Sequence, residues 1–425
     1  MQVAAGSAAY LMGMDMLENE KTLVRDVAKQ IAEIASLPVQ EQTAELWRRL
    51  NRLDPVRPMV MLQNGAWNET LDDREAQCTD SFYRGQELHL RRVLYQWEHM
   101  PGDMVVEDIF YSPIVVHDSG WGLNVNAVRP DHYFGAAHFE PVITSEQDVD
   151  KIQLPQVTVD REETEHVFQR YSDLYDGIFK VQKRGQCGFW FAIFDQFIQW
   201  RGLDQAFVDM LDRPAWMHRV LERMTQGMIG QLDQLEQRNA LGLNNGNVGV
   251  GPGGLGFTDE LPQPDFDGAH VRAKDMWGHA TTQIFSVVSP AMHEEFALQY
   301  ESRYLQRFGL AGYGCCEPLH RKVDVIRKHI PNLRRISMSP WVDVAMGAEA
   351  VGKDLVFSYK PNPAILGGEA WEVEAARAHL RDVLEKTRGC AVEIIMKDLH
   401  TCRNEPRRMW EWTRMAQELA QQYAA

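Results

Sequence analysis

Long apolar runs, paired cysteine motifs and a basic surplus are all lacking in this chain of 425 residues. The longest strongly apolar run, Gly188 to Phe194, halts at Asp195, far short of the roughly 20 residues a spanning helix needs. No membrane partner is expected. The 6 cysteines, Cys78, Cys187, Cys315, Cys316, Cys390 and Cys402, are sparse and irregular, which excludes a secreted disulfide framework and favours a reducing compartment. Lys and Arg total 44 against 60 Asp and Glu, a formal charge of -16, so the chain repels a phosphate backbone and no nucleic-acid partner is expected. No basic segment precedes the first apolar residues, and Asp15, Glu18 and Glu20 follow them. With no leader pattern legible, a cytoplasmic location is expected. There is no periodic repeat, no CxxC pair and no HExxH. The glycine-rich stretch at 246–256 opens no GxGxxG helix and is followed by no GK[ST], so it reads as a loop or lid near a strand end rather than a nucleotide cradle.

What is present is a rhythm of short apolar runs and amphipathic stretches. Leu23, Val27, Ile31 and Ile34 recur at helical spacing until Pro38, and EQTAELWRRLN follows, so residues 1–56 read as an N-terminal helical extension. From residue 57 the period changes. Runs at 57–62, 104–111, 188–194, 240–243, 333–339, 354–360 and 391–396 read as buried strands, with helical patterns such as the one opening at Pro214 between them. Near-continuous apolar strands alternating with helices predict an α/β parallel sheet covered by helices. In such sheets chemistry sits past the C-terminal ends of the strands.

Those positions are rich in polar residues. Past the second run lie His117, Trp121 and His132; past the fourth, Asn244 and Asn245; later come Asp275 with His279, Cys315-Cys316-Glu317, Lys360 with Asn362, and Lys397 to His400. Adjacent cysteines beside a carboxylate, with a histidine from another strand, would supply the mixed ligands zinc accepts, although a buried apolar pair is the alternative. His279 and Asp275 suit a ligand, an acid or a substrate clamp, with a structural cap as the rival. Trp67 and Glu69, just past the first strand, offer an aromatic wall and a carboxylate, or simply an exposed turn.

The order of landmarks resembles the uroporphyrinogen decarboxylase superfamily. The resemblance is carried by RPMVML, LDRPAWMHRVLERMTQGMIGQL, DMWGHATTQIFSVVSPAMHEEFALQY, GYGCCEPL and FSYKPNPAIL, spanning about 57 to 420. It implies a (β/α)8 TIM barrel over 57–425 with its site at the C-terminal mouth. LQNGAWNET after the first strand has no arginine before Arg74, where the decarboxylases hold their substrate's carboxylates. The closer likeness is to the corrinoid- and cobalamin-dependent methyltransferase branch, in which zinc is held after a late strand and after the last one. Gly314 stands where that branch has its histidine, and His400 where it has its final cysteine. The resemblance implies a zinc site of Cys316, Glu317 and His400, with Cys315 as a substitute.

The function so implied is movement of a methyl group from a small methylated ether or amine to a corrinoid carried by a partner protein, an O-demethylase-like activity. Asp275 and His279 would be catalytic, and Trp67, Glu69, Asn244, Asn245, Lys360 and Asn362 would bind substrate. The family leaves room for a homodimer. Two other readings remain open: a metal-independent decarboxylase or lyase using Asp275 and His279, and a non-catalytic binder of a corrinoid or small aromatic.

Overall fold

The apolar runs become strands where they are bounded by turns, and helices where the chain carries a wider stripe. The computed structural model describes residues 2–128 and 137–424, so His132 lies outside the described residues. In chain order the elements that shape the molecule begin with helices α1 (Gln2–Ala35) and α2 (Pro38–Asn51), then β1 (Met59–Asn64), α3 (Ser81–His99) and β2 (Ile109–Pro113). Three short strands follow, β3 (Val115–Asp118), β4 (Asn126–Val128) and β5 (His138–Glu140), then β6 (Val157–Asp160), α4 (Arg161–Tyr175) and β7 (Lys180–Arg184). Helices α5 (Ile193–Arg201), α6 (Leu203–Asp212) and α7 (Pro214–Gln237) precede β8 (Trp277–Ala280), β9 (Leu310–Tyr313), β10 (Leu333–Met338), β11 (Val356–Tyr359) and β12 (Ala391–Leu399). Helices stand between several of these last strands, and Arg407–Gln422 closes the chain.

Six strands form one parallel sheet in the order β1-β12-β11-β10-β9-β8. That the last strand pairs with the first is the signature of a sheet curling toward a barrel. The expected ring of eight strands is not closed by strand pairing among the described residues. β2 and β7 form a separate parallel pair, joined onward among the described residues by single bridges from Gln186 to Leu241 and from Phe191 to Ala280. Between β1 and β2 the link is Asp103, whose N–H donates to the Val60 carbonyl at 2.7 Å and whose carboxylate accepts from the Val60 N–H at 2.6 Å. The fold is therefore a TIM-barrel-like α/β architecture with an incompletely paired wall.

The reason lies in two runs that period alone cannot resolve. GFWFAIF is irregular at 188–192 and turns helical at Ile193, because Phe194, Phe197 and Trp200 find their burial on one helix face. At 240–243 the strand is reduced to one bridge, because Asn244 diverts the chain. Its carboxamide donates to the Cys187 and Trp277 carbonyls at 2.9 Å each and accepts from the Trp277 N–H at 2.8 Å. The glycine-rich segment beyond is not a lid. It packs into the base of the barrel, where a Cβ on Gly254 would stand 2.3 Å from the Trp47 ring.

Helix α2 completes that base. Trp47 donates to the Asp103 carbonyl at 2.8 Å, and Asn51 donates to the Leu255 and Phe257 carbonyls at 2.9 Å each. The apolar stripe of α1, with Val24, Ala28 and Ile31 fully or nearly buried, packs on α3 and α4. Proline at the start of α7 fits the first turn of a helix whose Met217, Leu221 and Met224 are wholly buried. Among the described residues no helix is long and apolar enough to cross a membrane.

Candidate functional site

Charged residues sit inside strands that otherwise read as apolar, and these define the lumen. Arg335 on β10 and Glu393 on β12 are buried and lie 3.3 Å apart. The Arg335 guanidinium also donates to the Gly254 carbonyl at 2.8 Å and to Asn51 Oδ1 at 2.6 Å. Ser358 on β11 donates to Glu393 and accepts from the Lys360 ammonium. Lys360 also reaches the Ser358 carbonyl at 3.2 Å. Burial pulls the Lys360 ammonium down to about 7, opposed by Glu393 and reinforced by Lys397 and Arg335. Desolvation of a cation near other cations is the cause of such a shift.

Above this chain, at the C-terminal ends of β9 and β12, lie two thiols and a second lysine. Cys315 is buried and Cys316 exposed, with their sulfurs 3.5 Å apart. Lys397 Nζ stands 3.5 Å from the Cys315 sulfur and 3.7 Å from that of Cys316, and pairs with Asp398. The hydrogen bond from Cys315, then the Lys397 charge, hold the Cys316 thiol down to about 7 against burial and Asp398. Sharing its proton with Cys316, and burial, push Cys315 well up. An exposed thiolate beside an ammonium is the arrangement of a reactive cysteine.

His279 on β8 is buried against the same lumen. Its Nε2 lies 3.0 Å from the Gly314 carbonyl, so Nε2 carries the proton and Nδ1 is an acceptor; Nδ1 has no hydrogen-bond partner among the described residues. Burial pushes the ring down to about 3, so it is neutral at ordinary pH. At the rim Asp195 accepts from Gln283 at 2.6 Å while its other oxygen has no partner among the described residues, and burial, aided by Glu317, pushes it up to about 6.

The expected catalytic pair is not assembled. Asp275 lies at the opposite, N-terminal end of β8, about 13 Å along an extended strand from His279. Its oxygens accept from Arg272 Nε at 2.7 Å, Arg272 Nη2 at 3.0 Å, and the N–H groups of Gln263 and Arg272 at 3.0 Å each. Burial opposes its charge, but Arg272 outweighs burial and lowers its pKa. Asp275 is a structural clamp.

The expected zinc ligands also stand apart in role. Glu317 is turned inward, accepting from Thr281 Oγ1 at 2.8 Å and from the Cys315 N–H at 2.7 Å, while His400 is exposed. Among the described residues no group of three His, Cys, Asp or Glu side chains is placed to hold a metal ion. Cys316, Glu317 and His400 therefore do not fit a zinc site as drawn from the resemblance.

Of the expected substrate binders, Lys360 is in the lumen and the rest have other duties. Glu69 pins the turn after β12: it accepts from Thr401 Oγ1 at 2.6 Å, the Cys402 N–H at 2.7 Å and the Asn404 N–H at 2.9 Å. Trp67 packs edge-on against Tyr95, with the Arg92 guanidinium 5.2 Å above its ring. Asn244 is spent on backbone, as described above. Asn245 donates to the Leu261 carbonyl at 2.7 Å, and Asn362 accepts from the Ala364 N–H at 2.9 Å. Sequence reasoning passed over Arg335, Glu393, Lys397 and Asp195 as site residues. A legible signal existed for two of them: a charge within an otherwise buried strand, as in LRRISM and AVEIIM, must find a partner in the interior.

A parallel α/β barrel-like fold with its unspent polar groups at the C-terminal mouth is the class these features define. No family model matches the chain, and no curated protein matches it. Among solved structures the chain is similar to a methyltransferase from Methanosarcina mazei, with a TM-score of 0.51 at 8% identity, over 88% of this chain and 98% of that one. At that identity the likeness is one of fold.

Proposed function

We propose that the chain is a methyltransferase of the uroporphyrinogen decarboxylase-like type, moving a methyl group from a small ether or amine donor to the corrinoid of a partner protein. The observation that carries the reading is the charge of the lumen: Arg335, Lys360 and Lys397 face it, with Glu393 as the buried carboxylate among them. Arg335 is paired with Glu393 and Lys397 with Asp398, so among the described residues Lys360 is the lumen cation without a carboxylate of its own, suited to a group that becomes negative during reaction. The partner's corrinoid would supply the nucleophile that takes the methyl group. What departs from the donor is an alkoxide or amine nitrogen, which needs a proton. Lys360, with its ammonium drawn down to about 7, is matched to giving that proton at neutral pH. Ser358 orients the Lys360 nitrogen and ties it to Glu393. No step is routed through zinc.

The test is methylation of reduced cobalamin, free or protein-bound, by a panel of ether and amine donors. At least one donor should react faster than without protein, and Lys360→Met should lower that rate about 100-fold. Silence across the whole panel, or an unchanged rate in the variant, would sink the reading. The same two lysines favour one rival, decarboxylation of a small carboxylated substrate held by Lys360 and Lys397. Release of carbon dioxide without any corrinoid would select it.

A further inference from the structure

A cavity of about 740 Å³ lies away from the thiols, where the wall is incompletely paired between β7 and the 241–248 segment. Its volume is in the range of small-molecule sites. Glycine permits the geometry: a Cβ on Gly242 would stand 2.6 Å from Arg184 Cγ and from the Gly185 carbonyl oxygen. Arg161, Lys183 and Arg184 line the cavity, and Glu165 is the carboxylate on its wall. Glu165 pairs with Lys183. That leaves Arg161 and Arg184 with no ion pair among the described residues. The Arg184 guanidinium sits 3.6 Å over the Tyr111 ring, a contact that holds its plane. Glu107 acts on Arg184 from a distance rather than as an ion pair; burial raises its pKa, opposed by Asn247 and Arg184.

A second, independent feature points the same way. The backbone N–H groups of Asn245, Gly246 and Asn247, successive residues on the cavity wall, donate to no protein acceptor among the described residues. Free backbone donors beside unpaired arginines make an anion-binding concavity. Ile114, Val159, Leu243 and Phe266 give the wall an apolar part beside its polar residues.

We infer that this cavity is a binding site for an organic anion with an apolar body and an oxyanion end, held by Arg161, Arg184 and the 245–247 backbone. The site is separate from the thiols and Lys397 and goes beyond the proposed methyl transfer.

The probe is 2-naphthoate, titrated calorimetrically into the full chain beside its neutral analogue 2-naphthamide. Naphthoate should bind with a submillimolar Kd and naphthamide at least about 10-fold more weakly. Arg161→Met and Arg184→Met should each weaken naphthoate several-fold. Arg161 is exposed, so its variant tests the site without threatening the fold. Lys397→Met should leave naphthoate binding as it is. Equal binding of the amide, indifference to both arginine variants, loss of binding in Lys397→Met, or no naphthoate binding at all would each overturn the inference.

Discussion

Two sets of titratable side chains differ in how completely their bonding capacity is used. Asp275 and Glu69 have both carboxylate oxygens filled, by Arg272 and backbone N–H groups in one case and by the Thr401–Asn404 turn in the other. In the lumen, His279 Nδ1 has no hydrogen-bond partner among the described residues, the Lys360 ammonium is driven toward neutrality, and the Cys316 thiol is drawn toward its anion. A saturated carboxylate holds the chain in place, whereas groups with spare capacity and shifted protonation can act on something else. A motif position alone does not separate the two kinds.

The sharpest way to break this comparison is Asp275→Ala. It removes one of the two carboxylates paired with Arg272, Asp265 being the other, and leaves buried backbone donors without an acceptor, so the protein should lose about 3 kcal/mol in denaturant unfolding. Activity per folded molecule should stay near that of the parent chain. A stable but inactive variant would return Asp275 to the chemistry. Next in size is Lys360→Met, whose expected 100-fold loss corresponds to about 2.7 kcal/mol of barrier. With the parent chain, the same rate should fall as pH rises through about 7, because the ammonium is the proton-giving form. A flat profile across pH 6 to 8 would remove Lys360 from that role.

Buried His279 and His293, both pushed down to about 3 by burial, sharpen the comparison through stability. Below about 6.5 the unfolded chain takes up protons that the folded chain refuses, so stability is lost as pH falls, by about 1.4 kcal/mol per unit for each ring. His293→Phe should make the acid limb of a stability-against-pH curve shallower, provided the loss of its 2.6 Å contact with the Tyr313 hydroxyl is tolerated. Smaller still is the effect of Glu69→Gln, which keeps the shape but weakens charge-assisted bonds. A cost of about 1–2 kcal/mol is expected, read most directly as faster amide exchange at Cys402 and Asn404. The least costly test is alkylation of Cys316: its rate should rise about 10-fold from pH 6 to 8, with Cys315 silent throughout. Equal labelling of both sulfurs would contradict the opposite shifts assigned to them.

Much of the fold was legible because strand and helix periods are local properties. β1, β10, β11 and β12, together with α7, fall where apolar runs and the proline-led pattern predict. GFWFAIF failed as a strand because a short run of large apolar residues satisfies a buried helix face equally well. β8 and β9 were overlooked because WGHA and LAGY are short and glycine-containing. The site was legible only as a neighbourhood. Sequence position brings Cys315, Cys316, Lys360 and Lys397 to strand ends, but it cannot distinguish Glu317 facing inward from Glu317 facing a ligand.

By itself the sequence determined that this is an α/β chain of alternating apolar strands and amphipathic helices, with polar residues following its strands, since these depend on composition and near-neighbour spacing. Only the tertiary structure decided that Asn244 and Asp275 hold backbone, that α2 and the glycine-rich segment close the barrel's base, and that Arg335, Glu393 and Lys360 share one lumen. Those outcomes depend on which distant groups meet in a medium without water, where a donor or acceptor left without a partner is costly.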